Sequence, residues 1–281
     1  MFIKSDIVTS RQNEAVKRLL ALDDKKKRDV AELFVLDGLK LFEEAVKAGA
    51  DIVYIYINAA KGEQLLQNIE AIIPAGKYDN VQLIRLEGSL FERVSREKSP
   101  QGVITLVKYL DKIRNIIKIN KVTSLCAQDE SARGGVLFLD GIQDPGNLGA
   151  IIRTAVAMGR TRLVLDASCV DIYHSRVLRA AMGGIFRLCA TYTDDLVAAV
   201  SRVRASGHRV FAAELREGAR PVQEVHLQPS DSIVIGNEGH GITPTVSAVC
   251  DGSVYLPIAP GTESLNAAVA ASIFLWEMRE V

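Results

Sequence analysis

The chain has 281 residues, 48% hydrophobic and 24% charged, which excludes a disordered polypeptide and sets a prior of one large domain or two ordinary ones. Lys plus Arg number 34 and Asp plus Glu number 34, so a wholly basic wrapper of nucleic acid is excluded while a local basic patch is not. Cys126, Cys169, Cys189 and Cys250 are widely spaced with no CxxC pair, which points to free thiols in a reducing compartment and to no metal site. The N-terminus has no apolar signal core, and no apolar run reaches the ~20 residues of a membrane span. A cytoplasmic globular protein with no membrane partner is expected.

Charge changes type along the chain. Residues 1–108 hold 17 Lys plus Arg against 16 acids, whereas residues 131–281 hold 13 Arg, no Lys and 15 acids. Two modules are expected, 1–107 and 135–281, joined by a linker over 108–134 whose polar, Gly-ended part is 121–135. Ile113, Ile116 and Ile117 have helical spacing, so the linker is expected to open with a short amphipathic helix. In the first module, helices are predicted over 11–22, 39–49 and 63–73, the last stopped by Pro74. Strands are predicted at 34–36, 52–57, 81–86 and 102–107. Lys25 to Arg28 form a charge run, which reads as a solvated face or as a phosphate contact. In the second module, near-continuous apolar runs at 135–139, 162–165, 208–213, 232–236 and 253–257 predict parallel strands covered on both faces. A mostly apolar helix over 264–278 closes the chain.

Common chemical motifs are missing. There is no GxxxxGK[ST], no GxGxxG, no GxSxG and no metal-ligand spacing among His174, His208, His226 and His240,. Three segments remain, each at the carboxyl end of a predicted strand. In LFLDGIQDPGNLGAIIRTAVAMG (137–159), Asn147 stands as a helix N-cap with Arg153 in the second turn,; a capped helix with an exposed arginine explains it equally well. In IVIGNEGHGI (233–242), glycines around Glu238 permit close approach of a ligand or simply a tight turn. In YLPIAPGTESLNAAVAASIFLWE (255–277), Ser264 is a candidate N-cap with Asn266 beside it. Ligands of open α/β sheets bind beyond the carboxyl ends of strands, so the three together predict a ligand site that none of them predicts alone.

DPGNLGAIIRTA, GNEGHGI and SLNAAVA, in this order, resemble the three sequence motifs of the SpoU (TrmH-like) branch of the SPOUT RNA methyltransferases, over residues 135–281. HSRVLRAAMGGIFRL (174–188) resembles a helix of that family. SRQNEAVKRL (10–19), FVLDGLKLFEEAVKAG (34–49) and SPQGVITLV (99–107) resemble its N-terminal substrate-binding extension, similar to a kink-turn-binding ribosomal protein. The resemblance implies an α/β parallel-sheet domain with a deep trefoil knot, a smaller N-terminal α/β RNA-binding domain and S-adenosylmethionine held in the knot. It also implies a homodimer and methylation of a ribose 2′-hydroxyl in ribosomal RNA, with transfer RNA as an alternative substrate. Carried over by position, Gly236, Leu256 and Leu265 line the cofactor, and Asn147, Arg153, Glu238, Ser264 and Asn266 form the catalytic site. A guanidinium stays protonated, so Arg153 reads as a bidentate grip on phosphate rather than as a base. Three departures stand out: Pro260 where Gly is usual, Asp37 for Glu and Ala181 for Ser. A catalytically silent RNA-binding or ribosome-assembly factor is the rival reading, and the intact polar set argues against it.

Overall fold

The computed structural model describes residues 3–74, 81–111, 113–114, 134–261 and 264–280. The elements, in chain order, begin with β1 (Ile3–Val8), α1 (Glu14–Ala21), α2 (Lys25–Ala31), β2 (Leu33–Asp37), α3 (Leu39–Lys47) and β3 (Ile52–Asn58). There follow α4 (Gly62–Ile72), β4 (Gln82–Leu86), α5 (Gly88–Val94), β5 (Val103–Lys108) and β6 (Ile113–Arg114). The next are β7 (Leu137–Asp140), α6 (Pro145–Ala157), β8 (Arg162–Asp166), α7 (Ser175–Ala181), β9 (Cys189–Thr193), α8 (Leu196–Ala205) and β10 (Val210–Ala213). The chain ends with β11 (Arg220–Pro221), α9 (Val222–Val225), β12 (Ser232–Gly236), α10 (Pro244–Ala248), β13 (Gly252–Tyr255) and α11 (Ala267–Glu277). No helix among the described residues is long and apolar enough to cross a membrane.

Two compact units emerge: residues 1–110 with 173–186, and residues 111–172 with 187–281. In the first, five strands in the order β1-β4-β3-β5-β2 form a mixed sheet, parallel at β1/β4 and β3/β4 and antiparallel at β3/β5 and β2/β5. One face buries Val16 and Leu19 of α1 and Phe91 of α5 against Tyr56, Ile84 and Ile104. Segment 173–186 joins this unit through Tyr173, whose ring stacks on Tyr109 at 4.2 Å and meets Phe34 at 4.6 Å. Arg28 departs from the expected solvated run. Asp24 caps α2 and leaves Lys25, Lys26 and Lys27 exposed, but Arg28 turns inward and donates to the carbonyls of Leu22 and Asp23. The departures Asp37 and Ala181 both fall at buried or half-buried positions of this unit. Burial raises the Asp37 carboxyl above its ordinary pKa, although Oδ2 accepts from Ser95 Oγ and Arg96 N.

The second unit is an eight-stranded sheet in the order β11-β13-β10-β12-β7-β8-β9-β6, with every pair parallel. Phe138, Val164, Val210 and Val234 point to one face, where Leu196, Val200 and Val203 of α8 and Val246 of α10 cover them. Alternate residues such as Leu139 and Ile235 turn to the other face, so both faces are closed and the continuous apolar runs are explained. The strand at 189–193 escapes the apolar-run criterion because it reads CATYT, although Thr191 and Thr193 are fully buried. Ile113 pairs with Ala190 as part of β6, which corrects the amphipathic helix expected there; residues 116 and 117 and most of the expected linker lie outside the described residues. Cys169, Cys189 and Cys250 stand outside any disulfide, and burial pushes the Cys169 and Cys250 thiols up to about 12.

Phe138 is wholly buried in the central strand. Phe138→Ala is therefore expected to destabilise the protein by about 3–5 kcal/mol in chemical denaturation; a change below 1 kcal/mol would contradict this packing.

Candidate functional site

All strands of the second unit run parallel, so the loops after β7, β10, β12 and β13 emerge on one edge. There the loops after β10, β12 and β13 surround a cavity of about 500 Å³. Its apolar lining includes Leu215, Ile235, Leu256, Ile258, Leu265 and Phe274, and its polar lining Glu214, Asn237, Glu238, His240 and Ser264.

The loop after β12 is locked in place by one side chain. Asn237 and Gly241 exchange backbone hydrogen bonds of 3.0 Å, while Asn237 Oδ1 accepts from the backbone N–H of Gly239 and His240. Asn237 Nδ2 donates to the Gly141 carbonyl at 2.7 Å, which ties this loop to the one after β7. The carboxylate of Asp140, at the end of β7, accepts from Thr243 N and Thr243 Oγ1. A Cβ on Gly236 would fall 2.4 Å from the Gly241 carbonyl carbon. The two strands of the loop therefore touch where only glycine fits.

The three sequence segments meet through side chains. Asn147 Nδ2 donates to Glu238 Oε1 at 2.7 Å, and Asn147 Oδ1 accepts from Asn266 Nδ2 at 2.9 Å. Asn266 in turn caps α11, its Oδ1 accepting from Ala268 N and Val269 N. This arrangement corrects two sequence readings. The N-cap of α6 is Asp144, whose Oδ1 accepts from Asn147 N, with Pro145 at the first helical position,. The N-cap of α11 is Asn266 and not Ser264. Because α6 starts at Pro145, Arg153 lies in its third turn, away from the helix N-terminus. It is exposed, forms no hydrogen bond or ion pair among the described residues and does not line the cavity.

Gly236, Leu256 and Leu265 do line the cavity, together with Glu238 and Ser264. Asn147 and Asn266 reach it through Glu238. Pro260 is exposed and enters a turn completed by Gly261 at φ +87°. The sequence reading passed over Glu214 and Asn237. Asn237 stood within the GNEGHGI segment, but its neighbour Glu238 drew the attention as the charged group. Glu214 follows an apolar strand with no glycine signal, and only the parallel sheet places it beside the others.

Comparison with known proteins identifies the family. The SpoU rRNA methylase family model matches residues 135–276, and an MRM3-like substrate-binding domain model matches residues 13–105. A 23S rRNA (guanosine(2553)-2′-O)-methyltransferase, RlmP, of Bacillus subtilis is 30% identical over 97% of this chain and 98% of its own. The chain belongs to the SpoU rRNA methylase family. Among solved structures, an AdoMet-bound rRNA methyltransferase from Sinorhizobium meliloti superposes with a TM-score of 0.78 at 26% identity, covering 97% of this chain and 96% of that one. An RNA methyltransferase of the TrmH family from Porphyromonas gingivalis gives a TM-score of 0.77 at 26% identity over 98% and 99%. In SpoU terms, the Asn147–Glu238–Asn266 chain is the point at which all three family motifs are joined.

That junction predicts a distinctive variant. Asn147→Asp removes the donor and sets a carboxylate against Glu238. Two like charges this close repel, so loss of the second proton is disfavoured. A raised folded-state pKa gives stability that is present at low pH and lost as pH rises through it. The melting temperature should therefore fall furthest below wild type near pH 7 and recover below about pH 5. A deficit independent of pH would contradict the contact.

Proposed function

We infer that this member of the SpoU family holds S-adenosylmethionine in the cavity edged by β10, β12 and β13. It transfers the methyl group to a ribose 2′-hydroxyl in ribosomal RNA. The observation that carries this reading is the Asn147–Glu238–Asn266 chain on the rim of a cavity of about 500 Å³. The lining fits the cofactor: an apolar wall suits adenine, and Glu214, Glu238 and Ser264 set polar groups beside it.

Gly236, Leu256 and Leu265 hold the cofactor, largely through backbone groups. Asn147 and Asn266 fix Glu238, and Ser264 adds a hydroxyl to the same wall. When bound, S-adenosylmethionine supplies a methyl group on a sulfonium sulfur, whose positive charge is lost on transfer. Arg153 grips the target phosphate with two N–H groups and polarises the attacking hydroxyl, its guanidinium remaining protonated throughout, while the hydroxyl proton passes to water as the O–CH3 bond forms and the S–CH3 bond breaks.

Arg153 does not line this cavity, and the reading includes a C₂ homodimer in which a second copy supplies it. In its support, α6 and α11 leave an apolar groove lined by Ala150, Met158, Val269, Ile273 and Trp276, with Trp276 50% exposed. Leu275 of the same helix is core, at 1% exposure. A monomer in light scattering at micromolar concentration would refute the dimer. The reading also includes a trefoil knot, a rare topology. In its support, the chain leaves β13, shares the cavity wall with residues 235–242 and returns to pack α11 on α6. A crystallographic trace that straightens when its ends are pulled apart would contradict it.

Labelled cofactor and ribosomal RNA are expected to give a 2′-O-methylated nucleoside after digestion. Arg153→Ala should abolish transfer while leaving cofactor affinity within a few fold, and Arg153→Lys should rescue little. Base-methylated product, or full activity of the alanine variant, would overturn the assignment.

Residues 1–107 are assigned to RNA capture, supported by the match to a substrate-binding domain and by the exposed Lys26 and Lys27. Replacing both lysines with alanine should lower RNA affinity and reduce the slope of log affinity against log salt by roughly 1.4–1.8, the release expected for two phosphate contacts. An unchanged slope would remove α2 from the RNA surface.

A further inference from the structure

Glu214 stands on the cavity wall where no sequence motif and no family match assigns a role. It follows β10, and its carboxylate is held from three directions. Oε1 accepts from Ser247 Oγ of α10, from Ser253 Oγ of β13 at 2.7 Å and from Arg216 Nη1 at 3.5 Å. Its backbone N–H donates to the Val254 carbonyl at 2.9 Å. Among the described residues Oε2 accepts nothing, and the side chain keeps 18% of its surface exposed in the cavity wall. One oxygen is thus saturated while the other is presented, oriented, to whatever occupies the cavity.

The chemistry of that occupant is restricted. A carboxylate oxygen only accepts, so the ligand must donate. Arg216 already answers the negative charge, so a neutral donor suffices. The adjoining Leu215 and Ile258 are large apolar side chains left 79% and 39% exposed at the cavity rim, a surface that suits the face of a nucleobase. A pair of neutral hydroxyls one sugar away from a base is a ribose diol.

We propose that Glu214 is a cofactor-positioning residue that accepts hydrogen bonds from the ribose 2′- and 3′-hydroxyls of bound S-adenosylmethionine, Ser247 and Ser253 fixing the carboxylate for that contact. The proposal rests on the cofactor reading above. The alternative role, a brace between α10 and β13, affects stability but not the choice among ligands.

Calorimetry on the full-length protein separates the two. Wild type is expected to bind S-adenosylmethionine and to bind its 2′-deoxy and 3′-deoxy forms about 10- to 100-fold more weakly, the cost of losing bonds to a charged acceptor. Glu214→Ala should weaken binding of the parent cofactor by a similar factor and treat all three ligands alike within about threefold. Equal wild-type affinity for the three ligands overturns the proposal without any variant being made. So does an alanine variant that keeps the wild-type discrimination. If Glu214→Ala instead erases discrimination against a cofactor analogue lacking the α-amino group, the ribose assignment is overturned. A wild-type protein that binds no S-adenosylmethionine overturns the cofactor reading itself, and the proposal with it.

Discussion

The site depends on one side-chain amide. A carboxamide offers a donor and an acceptor at the same carbon, and Asn147 uses both, donating a hydrogen bond to Glu238 and accepting one from Asn266. Aspartate can only accept at neutral pH, so it cannot replace both bonds. Glu238 sits on the loop after β12, and Asn266 caps the helix after β13. The three are 91 and 119 residues apart in sequence, counted from Asn147. A single residue therefore registers three loops against one another, and Asn266 transmits that register into α11 because its other atom is the helix cap.

The parallel sheet makes this convergence possible. Every carboxyl end in a parallel sheet lies on the same edge, so loops distant in sequence are neighbours there. Two further ties hold the edge together: Asp140 on Thr243 and Asn237 on Gly141. Behind it, Phe138 and Val234 anchor β7 and β12 in the core. Behind the opposite end of the strands, buried Arg160 donates to the Asp231 and Met278 carbonyls, joining the start of β12 to the end of α11. Desolvation lowers this guanidinium to about 10, still well above neutral pH, so it bonds as a cation.

Much of this was legible in the sequence. The apolar runs gave the parallel strands because burial on both faces leaves no polar alternation, and the three Gly- and Asn-containing segments marked the edge where their side chains meet. The helix starts were misread for a specific reason. Asp144 and Asn147 are both good caps three residues apart, and so are Ser264 and Asn266 at two; propensity does not choose between neighbours, whereas Pro145 and tertiary bonding do. Arg28 was hidden because charge alone does not reveal that a guanidinium can satisfy two carbonyls at a turn. Glu214 was invisible because its importance comes from Ser247 and Ser253, which only folding brings to it.

The central claim is that three motifs assemble one cofactor cavity through Asn147. A crystal structure of the protein with S-adenosylmethionine bound tests it most directly. The account predicts ligand in the cavity against the backbone at Gly236, Leu256 and Leu265, with the methyl group facing the Asn147–Glu238–Asn266 chain. Ligand density in the groove between α6 and α11, or at any other place outside this cavity, would contradict it.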